Sequence, residues 1–568
     1  MRWLSAATLL AGLALAIGLV SPLFSPEPTV WDDAYMFGRY AHNLVTHGAL
    51  SWDPGGEPTY GLTSPFFLLV VVPVRVLLTD EPLRAALLSS LVSGLAFFAL
   101  LAALVRTALE PGGAARRAAI ALVLVSLAGC ARMLGAHLTS GMDTTFAMAF
   151  LAGWLLLMVR GSKAWLTGVL GGLAFGVRPD LCLYTVGVPV SMAALAPDPA
   201  ARRRALTVLA CTAAVIVMLM GAARAYFGTP LPLPFWVKGT SYYDEYIRVL
   251  YVPVRLKMLI AFAQGCWPLL VAIAAGILVK RRTSGLGAGV LLATLAFIVY
   301  YLFFALQIMP MEARFYQPVL PALVWLGCRG LVEAYRARPR VVDRIAPLLI
   351  LAALIAAAVP AARTLRTVAH GGGHLAPLTI HESYRALERD WFGLESFSRL
   401  PDDLVIATTE VGHVAALNPG KSILDLSGLN DNDLVLRRTP ARELLRRRRP
   451  DLIYVPHEDY QRLREEILED PAFVSGYEYF PPAERYWLGV ALRRSSAHHA
   501  ALRAIMAGIP TAPGGPARPR RGRRRRTKAS LRYRASRSSN GTCPAARARC
   551  ARDAAGRRCP RGAADHRR

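Results

Sequence analysis

The sequence predicts a polytopic α-helical membrane protein of about 11 transmembrane helices, with a small C-terminal extracytoplasmic α/β domain. Three observations carry that expectation. Of the 568 residues 54% are hydrophobic and 18% charged, where a soluble chain carries about 25% charged residues. Apolar runs recur along the first two thirds of the chain, many approaching the roughly 20 residues needed to cross a bilayer core. The basic residues between those runs fall in short clusters, as membrane topology requires. The net charge of +28 alone suggests nucleic-acid binding. However, residues 518–568 supply +17 of it, and the rest lies in connections between apolar runs, so a nucleic-acid partner is not expected.

In chain order, Leu4–Phe24 follows Arg2 and reads as a signal-anchor helix with a cytoplasmic N-terminus. Pro65–Leu78 contains Pro73 and Arg75 and is too short to span, so a re-entrant or interfacial segment is expected. Ten further spans follow: Leu83–Val105, Ala118–Gly135, Thr144–Val159, Ala164–Val177, Leu181–Leu195, Ala205–Ala223, Leu256–Val279, Gly285–Met309, Pro318–Val332 and Ala346–Val359. With this count the clusters Arg106/Arg116/Arg117, Arg160/Lys163, Arg202–Arg204, Lys280–Arg282 and Arg336/Arg338/Arg340 all face the cytoplasm. Counting Pro65–Leu78 as a span would put the later clusters outside. Residues 1–362 are therefore read as the membrane domain of a plasma-membrane protein, and the chain from about Arg363 as lying outside.

The outer connections are longer and chemically varied. In the first, residues 25–64, Thr29 suits a helix cap and Gly48 a helix end. At helical spacing Asp32, Tyr35, Arg39 and Asn43 share one face, and Asp33, Phe37, Tyr40 and Leu44 its neighbour. Two carboxylates at a helix start beside a membrane suit a general base and a ligand-orienting group, or simply the positive end of the helix dipole. Further outer segments carry His137 and Asp143, the Arg178-Pro179-Asp180 break, the aromatic Tyr226–Lys238 stretch and Glu312-Ala-Arg314-Phe-Tyr316. Charges near membrane depth are costly unless paired or functional. Arg178 and Asp180 read equally as a functional pair and as a mutual ion pair at a turn enforced by Pro179. Arg224 and Arg314 stand at outer span ends where a lipid-linked phosphate would sit, Lys238 is a further candidate for a phosphate, and Arg suits such a group. Snorkelling toward headgroups is the competing explanation for each Arg alone.

Residues 363–500 read as the α/β domain, with strand-like runs at Asp403–Thr409, Ser422–Leu426 and Pro450–Val455. Asn418–Ser422 fails the phosphate-loop pattern because Ala415 replaces its first glycine, so a hairpin-type turn is expected. His413 and His457 lack the spacing of zinc ligands. Residues 501–568 form a basic tail, expected to be disordered, with the composition of a GC-rich frame read out of register. Five of the eight cysteines lie in apolar runs and three in the tail, so no disulfide framework is expected.

Taken in order, Trp31–Leu44, Asp53–Glu57, Tyr60–Pro65, Ser140–Thr144, Val177–Asp180, Tyr226–Pro232 and Arg314–Tyr316 resemble the motifs of bacterial C-type (GT-C) membrane glycosyltransferases, most closely the arabinofuranosyltransferase-like branch. Asp143 and Asp180 stand where that branch often has Glu. The resemblance implies a GT-C-like fold and transfer of a hexosyl or pentosyl unit from a polyprenyl-phosphate donor to an envelope glycan, lipid or protein, with inversion. It implies that Asp32 or Asp33 is the base and that Arg178, Arg224, Lys238 and Arg314 receive the donor phosphate. Tyr35, Arg39, Asn43, Tyr60, Thr63, Ser64, Asp143 and Asp180 are then expected to contact substrate. No cofactor is implied beyond the donor lipid, and a divalent metal is left open. A transporter or lipid flippase is the main alternative. It calls for polar residues at span centres, whereas the charges here collect at span ends. A non-catalytic envelope-assembly protein is a third reading, against which the intact Asp32-Asp33 pair speaks.

Overall fold

The computed structural model describes residues 2–24, 30–109, 113–196, 198–239, 245–279, 285–305, 307, 311–369, 394–457, 460–482 and 488–508. Each apolar run taken as a span coincides with a helix: α1 (Arg2–Leu19), α4 (Pro82–Ala108), α5 (Gly113–Gly129), α7 (Thr144–Val159), α8 (Ala164–Val177), α9 (Cys182–Leu195), α10 (Pro199–Phe227), α12 (Glu245–Val279), α13 (Gly285–Val299), α14 (Leu320–Ala337) and α15 (Pro339–Thr367). Between them stand α2 (Asp32–His47), α3 (Leu68–Leu77), α6 (Ala131–Thr139) and α11 (Leu233–Gly239). Five described helices are long and apolar enough to cross a membrane unaided: α4, α10, α15, the Pro253–Val279 part of α12, and α13 with its extension to Phe304. The third expected span is not straight. It breaks at Cys130 into α5 and α6, bent by 67°. Helix α3, preceded by a 3-10 turn at Pro65–Phe67, is about 15 Å long at 1.5 Å per residue, half a bilayer core.

The helices bury one continuous core through Phe97, Trp154, Tyr184, Phe262, Phe297 and Trp325. Close approach is allowed by missing side chains. A Cβ on Gly276 would stand 2.4 Å from the backbone of Gly330, and one on Gly129 would stand 2.6 Å from the carbonyl of Gly265. This is how α12 reaches α14 and α5.

Residues 394–508 carry a five-stranded mixed sheet, β1 (Ile406–Thr408), β2 (Ile423–Asp425), β3 (Leu452–Val455), β4 (Tyr477–Phe480) and β5 (Gly489–Arg493), in the order β2-β1-β3-β5-β4. Strands β2, β1 and β3 are parallel, and β5 is antiparallel to β3 and β4. The residues alternate as a pleated strand demands. Ile406, Ile423, Leu452, Tyr454, Val490 and Leu492 face one core, and Ala407, Leu424, Ile453, Val455 and Ala491 the other. Because β1 and β2 are parallel, Asn418–Ser422 is not a hairpin: it closes a crossover through helix Val411–Leu417, since parallel neighbours cannot be joined by a tight turn. The tail also begins later than 501. Helix His499–Ala507 buries Leu502 and Met506 against the sheet, an i,i+4 pair masked in the sequence by surrounding alanines.

The first core of this sheet is completed by α2. Ala34, Tyr35, Phe37, Tyr40 and Ala41 are buried with Ile406, Val411 and Val414. Helix α2 starts at Asp32 behind Trp31, later than a Thr29 cap implies, and Thr29 lies outside the described residues. Gly48 ends it as expected, at φ 71°. Helix Val411–Leu417 lies so close to α2 that a Cβ on Gly412 would stand 1.8 Å from the Asp32 carbonyl oxygen. Backbone on both sides cannot yield. Gly412→Ala is therefore expected to cost at least 1–3 kcal/mol, roughly the cost of overpacking, read as a lower melting temperature of the detergent-solubilised protein.

Candidate active site

At one end of the helices, eight parts of the chain surround a cavity of about 330 Å3, near the lower end of small-molecule sites. Helix α2 supplies Asp33 and Phe37, and the stretch after Tyr60 supplies Leu62 and Thr63. The α6–α7 turn brings Asp143, the α8–α9 turn Arg178 and Asp180, and α11 Lys238. Tyr300, Tyr301 and Phe304 come from a π-helical turn that extends α13. Such turns recur at functional sites because the extra residue re-aims side chains. Arg314 and Phe315 precede α14, and Leu429 enters from the segment after β2.

The charged groups are arranged in pairs. Arg314 Nη1 donates to Asp33 Oδ2 at 3.0 Å, with its guanidinium 4.8 Å from the Phe315 ring centroid. Arg178 grips Asp180 with two bonds, Nε to Oδ1 at 3.2 Å and Nη2 to Oδ2 at 2.8 Å. The Tyr301 hydroxyl joins both, accepting from Arg178 Nη2 at 3.0 Å and donating to Asp180. Lys238 faces the same cavity. Burial and the positive charge of Arg314 depress its ammonium to about 8; Asp33 pulls the other way, Arg178 depresses it further, and Asp143 again opposes. Among the described residues no three His, Cys, Asp or Glu side chains are grouped as metal ligands.

Arg314 is presented by a strained turn. Glu312 and Ala313 both adopt left-handed backbone, φ 49° and 57°, at about 1–2 kcal/mol each for residues with a Cβ. Arg132 pairs with the Glu312 carboxylate, and His137 Nε2 lies 3.0 Å from the Glu312 carbonyl oxygen.

Asp32 does not line the cavity. Its Oδ2 accepts from Gly412 N at 3.0 Å, and its Oδ1 from His413 N at 2.7 Å and His413 Nδ1 at 2.5 Å. Burial pushes this carboxyl up, but the His413 charge and these hydrogen bonds outweigh it and hold it below its usual range. The rest of its face makes the same kind of contact. The Tyr35 ring lies 5.1 Å from that of His413. Buried Arg39 donates to the carbonyls of Trp52 (2.7 Å), Asn418 (2.9 Å) and Lys421 (2.7 Å), and Asn43 donates to those of Ser51 and Trp52.

Tyr60 stacks on Phe227 at 4.6 Å, Ser64 donates to the Val177 carbonyl, and Arg224 donates to the Gly228 carbonyl. The structure thus gathers Asp33, Thr63, Asp143, Arg178, Asp180, Lys238 and Arg314 around one space. Asp32, Tyr35, Arg39, Asn43, Tyr60, Ser64 and Arg224 stand outside its lining.

Sequence reasoning missed Tyr301, which has an aromatic span end as its only signal, and the contribution of the sheet segment. There Asp425 accepts from the backbone N–H and side chain of both Ser427 and Asn430. Tyr40 in turn donates to Asn430 Oδ1 at 3.1 Å and accepts from Gly61 N at 3.1 Å. Burial pushes the Asp425 carboxyl up to about 6 against the pull of these bonds. This relay ties the β2 end to the irregular stretch that carries Leu62 and Thr63 into the cavity. A Cβ on Gly61 would stand 1.9 Å from Asn430 Oδ1, which is why the chain is bare there.

No protein-family model and no curated protein matches the chain. Among solved structures, ArnT from Cupriavidus metallidurans bound to undecaprenyl phosphate superposes with a TM-score of 0.51 at 15% identity, covering 86% of this chain and 98% of ArnT. The apo state of the same protein aligns at 0.49 and 13% identity, over 87% and 98%. At such identity the likeness speaks for the fold alone: this chain shares the fold of ArnT.

Proposed function

We propose that the chain transfers a sugar from a polyprenyl-phosphate donor to a hydroxyl of an envelope glycan, lipid or protein, on the outer face of the plasma membrane. The observation that carries this reading is the cavity itself: Asp33, bonded to Arg314, shares with Arg178 and Lys238 one space whose remaining walls are largely aromatic and apolar. ArnT, whose fold the chain shares, was crystallised with undecaprenyl phosphate. In this reading Asp33 takes the proton of the acceptor hydroxyl as its oxygen attacks the anomeric carbon. The bond from that carbon to the phosphate oxygen breaks, and the electron pair leaves with the lipid phosphate. Lys238, Arg314 and Arg178 stabilise the departing charge. Attack opposite the leaving phosphate inverts the anomeric centre. Thr63, Asp143 and Asp180 are the proposed sugar contacts. The site then lies outside, with the 11-span topology, cytoplasmic N-terminus and extracytoplasmic sheet that the basic clusters favour. The sugar is hexosyl or pentosyl, the motifs resembling arabinofuranosyltransferases favouring the latter.

Membranes containing the protein are expected to move labelled sugar from a polyprenyl-phosphate donor to an endogenous acceptor. Passage of that lipid across vesicles with no transfer would replace the reading with a flippase. A pH prediction accompanies it. Lys238 must be protonated to bind phosphate, and its ammonium lies at about 8 among Arg314, Asp33, Arg178 and Asp143. Donor kcat/KM should therefore be maintained below pH 8 and fall as pH rises through it. Lys238→Arg, always charged, should remove that alkaline limb. Lys238→Ala should lower kcat/KM roughly 10- to 100-fold at pH 7, the worth of a charged hydrogen bond.

A further inference from the structure

We propose that His137 is a positioning residue, bracing the strained turn that presents Arg314 to Asp33. The inference rests on the transferase reading for its kinetic consequence but not for its geometry. His137 is fully buried at the end of α6, between the two pieces of chain that carry that ion pair. On one side its ring meets Trp31 edge to face at 5.3 Å, and Trp31 is the residue from which α2 starts. The Trp31 backbone N–H is itself tied to the Ser140 carbonyl at 2.9 Å, three residues after His137. On the other side Nε2 lies 3.0 Å from the Glu312 carbonyl oxygen. A carbonyl can only accept, so Nε2 carries the proton and donates. Nδ1 has no hydrogen-bond partner among the described residues, which leaves the Glu312 bond as the polar function of this side chain.

What that bond holds is the least comfortable backbone near the cavity. Glu312 and Ala313 are consecutive non-glycine residues in the left-handed region, a conformation that persists where surroundings over-determine it. The turn closes through Arg314 N to the Met311 carbonyl (3.1 Å) and Tyr316 N to the Ala313 carbonyl (2.8 Å). The Arg132–Glu312 pair adds little, since the Arg132 side chain is 87% exposed. Without the His137 donor the turn is free to relax to right-handed or extended backbone, and Arg314 swings with it. Asp33 loses its counter-ion, and the proposed phosphate site loses a guanidinium. His137 touches neither reacting group; it sets the distance between them.

The test uses the full-length protein in nanodiscs. His137→Gln keeps an amide N–H able to reach the carbonyl, while His137→Leu keeps volume without a donor. His137→Asn keeps polarity but falls short, and serves if the leucine variant does not fold. In the Leu and Asn variants, hydrogen exchange of the 311–316 amides is expected to accelerate. The donor kcat/KM for sugar transfer is expected to fall roughly 100-fold, the scale of a 1 Å misplacement. His137→Gln should restore both. Ala313→Gly, which makes left-handed backbone free, should restore both in the His137→Leu background. Exchange that is unchanged in the Leu and Asn variants, or equally fast in the Gln variant, would overturn the brace. Because exchange needs no turnover, the two readings separate: the exchange pattern without wild-type transfer sinks only the transferase, and transfer without the pattern sinks only the brace.

Discussion

Asp33→Asn is expected to lower sugar transfer by about 10²- to 10⁴-fold, the contribution of a positioned general base, without unfolding the protein. The amide keeps an oxygen to accept from Arg314, so the 3.0 Å contact survives while the proton acceptor is lost. Asp32→Asn should behave in the opposite way. Both Asp32 oxygens are taken up by the N–H groups of Gly412 and His413, and an amide turns one acceptor into a donor facing a donor. An unsatisfied buried group costs about 1–3 kcal/mol, so this variant loses stability first and activity only as a consequence. The pH dependence separates them further. The Asp32 carboxyl is held below its ordinary value of 3.8, so its stabilising share is present above that value and is lost as pH falls through the depressed one. Acid unfolding of Asp32→Asn should lack that limb. Equal loss of transfer at unchanged stability in both variants would return the base role to the pair, without distinction. The assay is labelled-sugar transfer paired with melting in detergent.

That distinction was half legible in the sequence. Helical spacing places Asp32 with Tyr35, Arg39 and Asn43 and puts Asp33 on the next face, and both groupings hold in α2. What the spacing does not contain is which face meets a ligand. Each face opens on a carboxylate, and the partner that claims the first, helix Val411–Leu417, lies some 380 residues away. The apolar runs were readable because each is satisfied locally: a buried helix needs only its own composition. The bend at Cys130 was not, because no Pro marks it, and α6 beyond it meets a partner far along the chain, the Glu312 carbonyl. Arg178, Arg314 and Lys238 were recognisable as cations at span ends. Arg224 looks the same in sequence yet turns to the Gly228 carbonyl at its own helix end. Strands β1, β2 and β3 stood out as apolar runs, but their parallel order follows from the intervening helix, which a seven-residue stretch hardly announces.

Arg39→Ala is expected to destabilise the protein by on the order of 3–5 kcal/mol, the range for removing one partner of a buried charged network. The Arg39 side chain is wholly buried and donates to three carbonyls, one in the first loop and two in the turn before β2. It also lies 5.0 Å from the Trp52 ring centroid and 3.7 Å from Asp53 Oδ1. Deleting it strands those carbonyls and opens a void where α2 meets the sheet segment. Arg39→Lys should recover only part of the loss, because one ammonium cannot serve three carbonyls in the fixed fork of a guanidinium. The outcome bears on function as well as stability. A substrate contact would show as a raised KM at unchanged melting temperature. A strut shows as a lower melting temperature with faster proteolysis of the sheet segment, and as transfer that declines with the folded fraction. The second pattern is the one these hydrogen bonds predict. It would mean that the most polar face of the first loop serves to seat the sheet over the cavity, leaving the chemistry to the face that carries Asp33.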